Sequence, residues 1–128
     1  MEYVVAVVML ALLQYSWFGI EVGRARGRFE VPAPATRGHE TFERFFRAHQ
    51  NTTEQLVVFL PAMFACAYLV NETLAAAMGL LFVIGRLMYF RGYTNPEKSR
   101  SLGFGLGLIA NTVMILATLY QVGIAATG

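Results

Sequence analysis

Thr41-Phe-Glu-Arg-Phe-Phe-Arg-Ala-His-Gln-Asn-Thr-Thr-Glu54 runs without a break into Gln55-Leu-Val-Val-Phe-Leu-Pro-Ala-Met-Phe-Ala-Cys-Ala-Tyr-Leu-Val70. The first half carries charged and polar residues at helical spacing, and the second is almost wholly apolar. Thr41 is a predicted N-cap, with Glu43 favourably placed in the first turn. Nothing then interrupts the helix before Asn71 except Pro61, a kink position. Thirty residues at 1.5 Å rise reach ~45 Å, against ~30 Å of bilayer hydrocarbon. The helix must therefore project from a membrane at its basic, N-terminal end.

Working outward, three further apolar runs appear: Val4 to Val22, Thr73 to Phe90 and Leu102 to Ala126. A spanning helix needs ~20 mostly apolar residues, so four spans consume most of the 128 residues and leave no soluble domain. Only 14% of the chain is charged, against about 25% for an average soluble domain. Transmembrane strands would show shorter segments of alternating polarity, and none is found. The expected fold is an all-α four-helix membrane bundle, one domain over residues 1–128, with spans near 3–28, 41–70, 73–92 and 96–126.

All ten Lys and Arg residues lie in two short segments, Arg24–Arg47 and Arg86–Arg100. The positive-inside bias puts both in the cytoplasm, with the termini and the tight Asn71–Thr73 turn on the other side. The first run lacks the leading positive charge of a cleaved signal peptide. A net charge of +2, clustered at span ends where snorkelling anchors sit, points to membrane lipid and away from nucleic acid. Cys66 has no partner for an intrachain disulfide and reads as a small buried apolar residue. No metal is called for.

Arg47, Asn51 and Glu54, at i, i+4 and i+7, share one helical face, and Arg86, Tyr89 and Tyr93 share another. An Arg, an Asn and an acid together can bind a zwitterion: guanidinium to carboxylate, carboxylate to ammonium, amide to peptide. The same residues also fit a self-contained network in which Glu43 pairs with Arg47 and the tyrosines form an interfacial aromatic belt. Glu54 opens an apolar run, where an unpaired acid is expensive. Gln14, Asn111 and Gln121 read as interhelical hydrogen-bonding groups, His39 as a solvated loop residue, and His49 as a neighbour of the Arg47 face. Asn95-Pro96-Glu97 reads as N-cap, first-turn proline and first-turn acid of helix 4, with Arg100 early in that helix. Gly103 and Gly107 form a small-xxx-small pair for close helix contact.

Phe42 to Glu54 followed by Leu60-Pro61, and Gly85-Arg-Leu-Met-Tyr-Phe-Arg-Gly-Tyr93 followed by Arg100, resemble the two signatures of the membrane-associated proteins in eicosanoid and glutathione metabolism. The likeness covers the whole chain and is nearest to the microsomal glutathione S-transferase and leukotriene-C synthase branch. The short C-terminus suggests a bacterial member, hence an inner-membrane protein. The resemblance implies a homotrimer binding glutathione as co-substrate between subunits near the cytoplasmic face. It assigns Arg47, Asn51, Glu54, Tyr89, Tyr93, Arg26 and His49 to glutathione binding and Arg100 to activation of the thiol. Two positions depart from the leukotriene synthases: Gln55 replaces a tyrosine, and Gly27 replaces a second arginine near the thiol.

The expected activity is conjugation of glutathione to a hydrophobic electrophile, with reduction of lipid hydroperoxides as a second activity. A thiol of pKa ~8.5 is only a few per cent thiolate at neutral pH, and a guanidinium stabilises the anion without taking the proton. Two alternatives stand beside it. A non-catalytic lipid-binding accessory protein of the same family would not need the Arg47–Asn51–Glu54 set. A small four-helix multidrug exporter would need a carboxylate in the middle of helix 1, where this chain has Gln14.

Overall fold

Each apolar run becomes one helix because, in lipid, every backbone N–H and C=O must be satisfied within its own segment. A computed structural model describes residues 1–95 and 99–128 as α1 (Glu2–Phe29), α2 (Glu40–Leu69), α3 (Glu72–Thr94) and α4 (Ser101–Thr127). All four are long and apolar enough to cross a membrane. The amino terminus pairs with Glu72 at 3.1 Å, so α1 and α3 begin at the same end of an up-and-down bundle. The arginines collect at the opposite end.

The ends of the helices refine the expectations. His39, not Thr41, is the N-cap of α2: its Nδ1 accepts from the Thr41 backbone N–H at 3.1 Å. An imidazole with one bare nitrogen can do what a hydroxyl does at this position, and His39 is further held by stacking on Phe29, 4.2 Å away. Asn71 caps α3 by accepting from the Leu74 N–H at 2.9 Å. Helix α2 continues through Pro61 without interruption. The expected start of helix 4 at residue 96 is corrected. Ser101 is its first residue and Arg100 its N-cap, while Asn95 ends α3 in an extended conformation. Pro96 and Glu97, the remainder of the expected capping sequence, lie outside the described residues.

Lipid tails are as apolar as leucine, so close packing and a few hydrogen bonds must hold the helices together. Phe59 of α2 stacks on Phe82 of α3 at 3.9 Å, and Phe18 of α1 on Phe90 of α3 at 4.0 Å. Met63, Cys66 and Met114 fill the buried space around the first pair. Gln14 makes the interhelical bond expected of it, donating to the Val83 carbonyl at 2.8 Å. Bonds of this kind are worth about 0.6 kcal/mol on average in a membrane bundle.

The closest approach is between α3 and α4. A Cβ on Gly103 would fall on the Tyr89 backbone nitrogen and the Gly85 carbonyl, and one on Gly85 would meet the Gly103 carbonyl at 2.9 Å. Gly105, two residues on, faces open space. Gly103→Ala should therefore destabilise the fold by about 1–3 kcal/mol through overpacking. Gly105→Ala should stabilise it by up to about 1 kcal/mol through helix propensity. Thermal midpoints in detergent test the contrast, and equal midpoints would remove the backbone contact at Gly103 from the account.

Candidate functional site

Arg86 is the deepest polar feature of the basic end. It is 1% exposed on α3, where a charge would normally be excluded. Its Nη2 donates to Asn51 Oδ1 at 2.9 Å and Thr52 Oγ1 at 2.8 Å, and its guanidinium lies over the Tyr89 ring, 4.1 Å from the centroid. Thr52 in turn donates to the Ala48 carbonyl at 2.8 Å. The polar face of α2 is thus tied to α3 by one buried cation. Tyr89 is buried beside it, with Tyr93 one turn further at 5.5 Å between ring centroids.

Above this layer a cavity of about 230 Å3 opens at the end of the bundle, lined by Glu40, Glu43, Arg44, Arg47, Tyr93 and Arg100. Three elements meet there. Arg47 comes from the exposed face of α2 and approaches Glu43 at 3.8 Å; Tyr93 comes from the last turn of α3. Arg100 arrives from the N-cap of α4, with its guanidinium 4.7 Å from the centre of the Tyr93 ring. It can reach this position because a glycine stands at 92: a Cβ there would meet the Ser99 carbonyl group and lie 2.8 Å from the Arg100 Cα. Arg44 braces the same corner, donating to the Tyr93 carbonyl and to Glu40, each at 3.4 Å.

Arg47, Asn51 and Glu54 share one face, as their spacing requires. Glu54 is exposed and has no ion-pair partner among the described residues. Arg26 and His49 lie elsewhere. His49 sits about 160° around α2 from Asn51, stacked on Tyr15 of α1 at 4.4 Å with its Nε2 packed towards Gly19. Arg26 pins the first loop: it donates to the Ala35 carbonyl at 2.6 Å and lies over Phe42 at 4.8 Å. Phe42 and His49 are seven residues apart on α2, so Arg26 and His49 share the α1 side of that helix. One subunit thus carries two polar surfaces, separated by the body of α2.

Sequence reasoning placed Arg86 on a shared face with Tyr89 and Tyr93 without giving it a role, and did not single out Thr52 and Arg44. Arg86 had a visible signal, a cation inside an apolar run with tyrosines at i+3 and i+7. Thr52 had none, because a threonine within a helix commonly satisfies itself on the preceding turn. Nothing in its spacing separates Arg44 from the other arginines of the first basic segment.

The arrangement can hold a small, multiply charged molecule. Guanidinium groups at Arg47 and Arg100 suit anionic groups, the Glu54 carboxylate suits a cation, and Asn51 and Tyr93 supply neutral hydrogen bonds. The chain is 38% identical to human microsomal glutathione S-transferase 2, over 94% of this chain and 80% of that protein. It is 32% identical to bovine leukotriene C4 synthase, over 94% and 79% of the two chains. An uncharacterised protein of Synechocystis sp. is 37% identical over 91% and 85%. The sequence profile of the MAPEG family matches residues 4–120, spanning α1 from its third residue, all of α2 and α3, and most of α4. With four helices able to cross a membrane and this profile over nearly its whole length, the chain belongs to the MAPEG family of integral membrane proteins.

Proposed function

We propose that this protein is a membrane-bound glutathione transferase, joining the thiol of glutathione to hydrophobic electrophiles that reach it from the lipid, and reducing lipid hydroperoxides as a second activity. The observation that carries the reading is the cavity where Arg47, Tyr93 and Arg100 converge from three elements. Its lining sets the guanidinium groups of Arg47 and Arg100 together, and Asn51 and Glu54 continue the Arg47 face of α2 beyond it. The names of the human and bovine relatives support the same chemistry. A lipid-binding accessory protein would have no use for a guanidinium over Tyr93 or for Glu54, which has no ion-pair partner among the described residues.

In this reading Arg47 pairs with a glutathione carboxylate, Glu54 with its ammonium, and Asn51, Tyr89 and Tyr93 fix the peptide between them. Arg100 faces the sulfur. The thiol proton leaves to water, the guanidinium stabilises the thiolate, and the sulfur lone pair attacks the electrophilic carbon while the leaving group departs with its bonding electrons. Arg26 and His49, on the other side of α2, serve the site of the neighbouring subunit in a homotrimer. The basic end, with loops 1 and 3, faces the cytoplasm of a bacterial inner membrane, and both termini face away from it.

Arg100 and Arg47 should separate chemistry from binding. Loss of a charge-assisted contact costs about 1.5–3 kcal/mol, so Arg47→Ala should weaken glutathione binding roughly tenfold to a hundredfold. Arg100→Ala should weaken binding less, but raise the pH at which bound thiolate appears and cut turnover. Its cation favours only the deprotonated form, so removing it returns the thiol towards its ordinary pKa of ~8.5. Arg100→Lys should recover part of the loss, keeping charge without the planar fork. Thiolate absorbance against pH, paired with conjugation rates on an aromatic halide, gives the result. An unchanged titration in Arg100→Ala would leave this arginine as a membrane anchor.

The trimer is tested by chemical cross-linking in mild detergent, where a ladder ending at three subunits is expected. A ladder ending at one or two would detach Arg26 and His49 from the site.

A further inference from the structure

Arg86 occupies a position that constrains the ligand without touching it. A guanidinium has only donors, so the Asn51 amide atom 2.9 Å from its Nη2 has to be the oxygen. A flipped amide would set N–H against N–H. Thr52 cannot take over that role, because its hydroxyl proton is committed to the Ala48 carbonyl and its oxygen already accepts from the same Nη2. Asn51 is therefore locked with Oδ1 inward and its NH2 outward. That NH2 has no partner among the described residues, and Asn51 is partly exposed on the face it shares with Arg47 and Glu54.

Charge points the same way. Among the described residues no carboxylate lies within ion-pair distance of Arg86, which is 1% exposed and meets two neutral oxygens and the Tyr89 side chain. A buried cation without a counter-charge keeps its field, since there is little water to screen it. The potential behind Asn51 is positive, and the hydrogen bond from Arg86 polarises the amide so that its N–H groups become better donors.

We infer that Arg86 is a positioning residue that locks Asn51 as a two-donor reader, so that the ligand group bound at Asn51 is an acceptor oxygen, a carbonyl or carboxylate, and never an ammonium or an N–H. The ligand half of this inference rests on the proposed glutathione site; the lock itself rests on the geometry alone.

The test uses the full chain in detergent, with Asn51→Asp as the central variant. An aspartate has nearly the shape of asparagine and still accepts from Arg86, so the lock requires a thermal midpoint equal to or above the parent's. A clear fall in the midpoint would overturn it. The same variant has lost the outward donors and turned that edge into acceptors, so glutathione measured by calorimetry should bind about tenfold more weakly or worse. Parent-like binding by Asn51→Asp would overturn the assignment of an acceptor at this position. If the parent itself failed to bind glutathione, the ligand half would fall together with the proposed function, while the midpoint would still decide the lock.

A double-mutant cycle asks whether Arg86 works through Asn51. Arg86→Gln should weaken glutathione binding severalfold or more in the parent and hardly at all in an Asn51→Ala background. Equal losses in both backgrounds would overturn the positioning role and make Arg86 a general structural cation.

Discussion

The bundle depends on how closely the backbones of α3 and α4 approach at Gly85, Gly92 and Gly103. In lipid there is no hydrophobic force to press helices together, so contact area and backbone proximity do that work. Side chains on these glycines would hold the two helices apart. The approach also fixes chemistry. Because Gly92 admits the Ser99–Arg100 backbone, the guanidinium of Arg100 settles over Tyr93 instead of pointing away along the membrane surface. A packing constraint inside the membrane thereby sets the position of the charge proposed to act on the thiol.

Below that rim, Arg86 joins α2 to α3 with hydrogen bonds that only a buried donor group could make. A leucine would pack there at less cost in desolvation. What the cation adds is orientation: it distinguishes the two ends of the Asn51 amide, which a neutral pocket would leave free to flip. Arg86 and Arg100 thus divide the labour, one buried and structural for its neighbours, the other at the surface and available. Their separation along α3 and α4 suits a molecule whose polar backbone is held at depth and whose reactive end is reached from the membrane edge.

The helices were legible in the sequence because lipid imposes a length and a polarity that few other environments require. Four apolar runs and two basic segments leave little choice of topology. Their ends were less legible. A serine or threonine is the usual N-cap, yet His39 takes the role by offering a ring nitrogen and stacking on Phe29. The first turn of α4 was displaced because Asn95 and a following proline resemble a helix start, whereas the seam with α3 brings the chain in at Ser101. Within the site, spacing found the shared face of Arg47, Asn51 and Glu54. It could not tell that Arg86 turns inward, since burial of a cation depends on what the next helix presents, and Thr52 gave no sign of accepting from it.

His49 is the instructive residue. It lies only two positions from Arg47 and Asn51 in sequence, yet those two positions turn it to the opposite side of α2, against Tyr15 and Gly19 of α1. Arg26 stands on that same side. A single chain therefore cannot bring Arg26 and His49 to a molecule bound at Arg47, Asn51 and Glu54. A head-to-tail interface pairs unlike surfaces and can close into a ring, the arrangement that the proposed homotrimer would use. If both sets serve glutathione, Arg26 and His49 must come from a neighbouring subunit. The need for a neighbour then follows from the turn of one helix, and the family resemblance supplies the trimer.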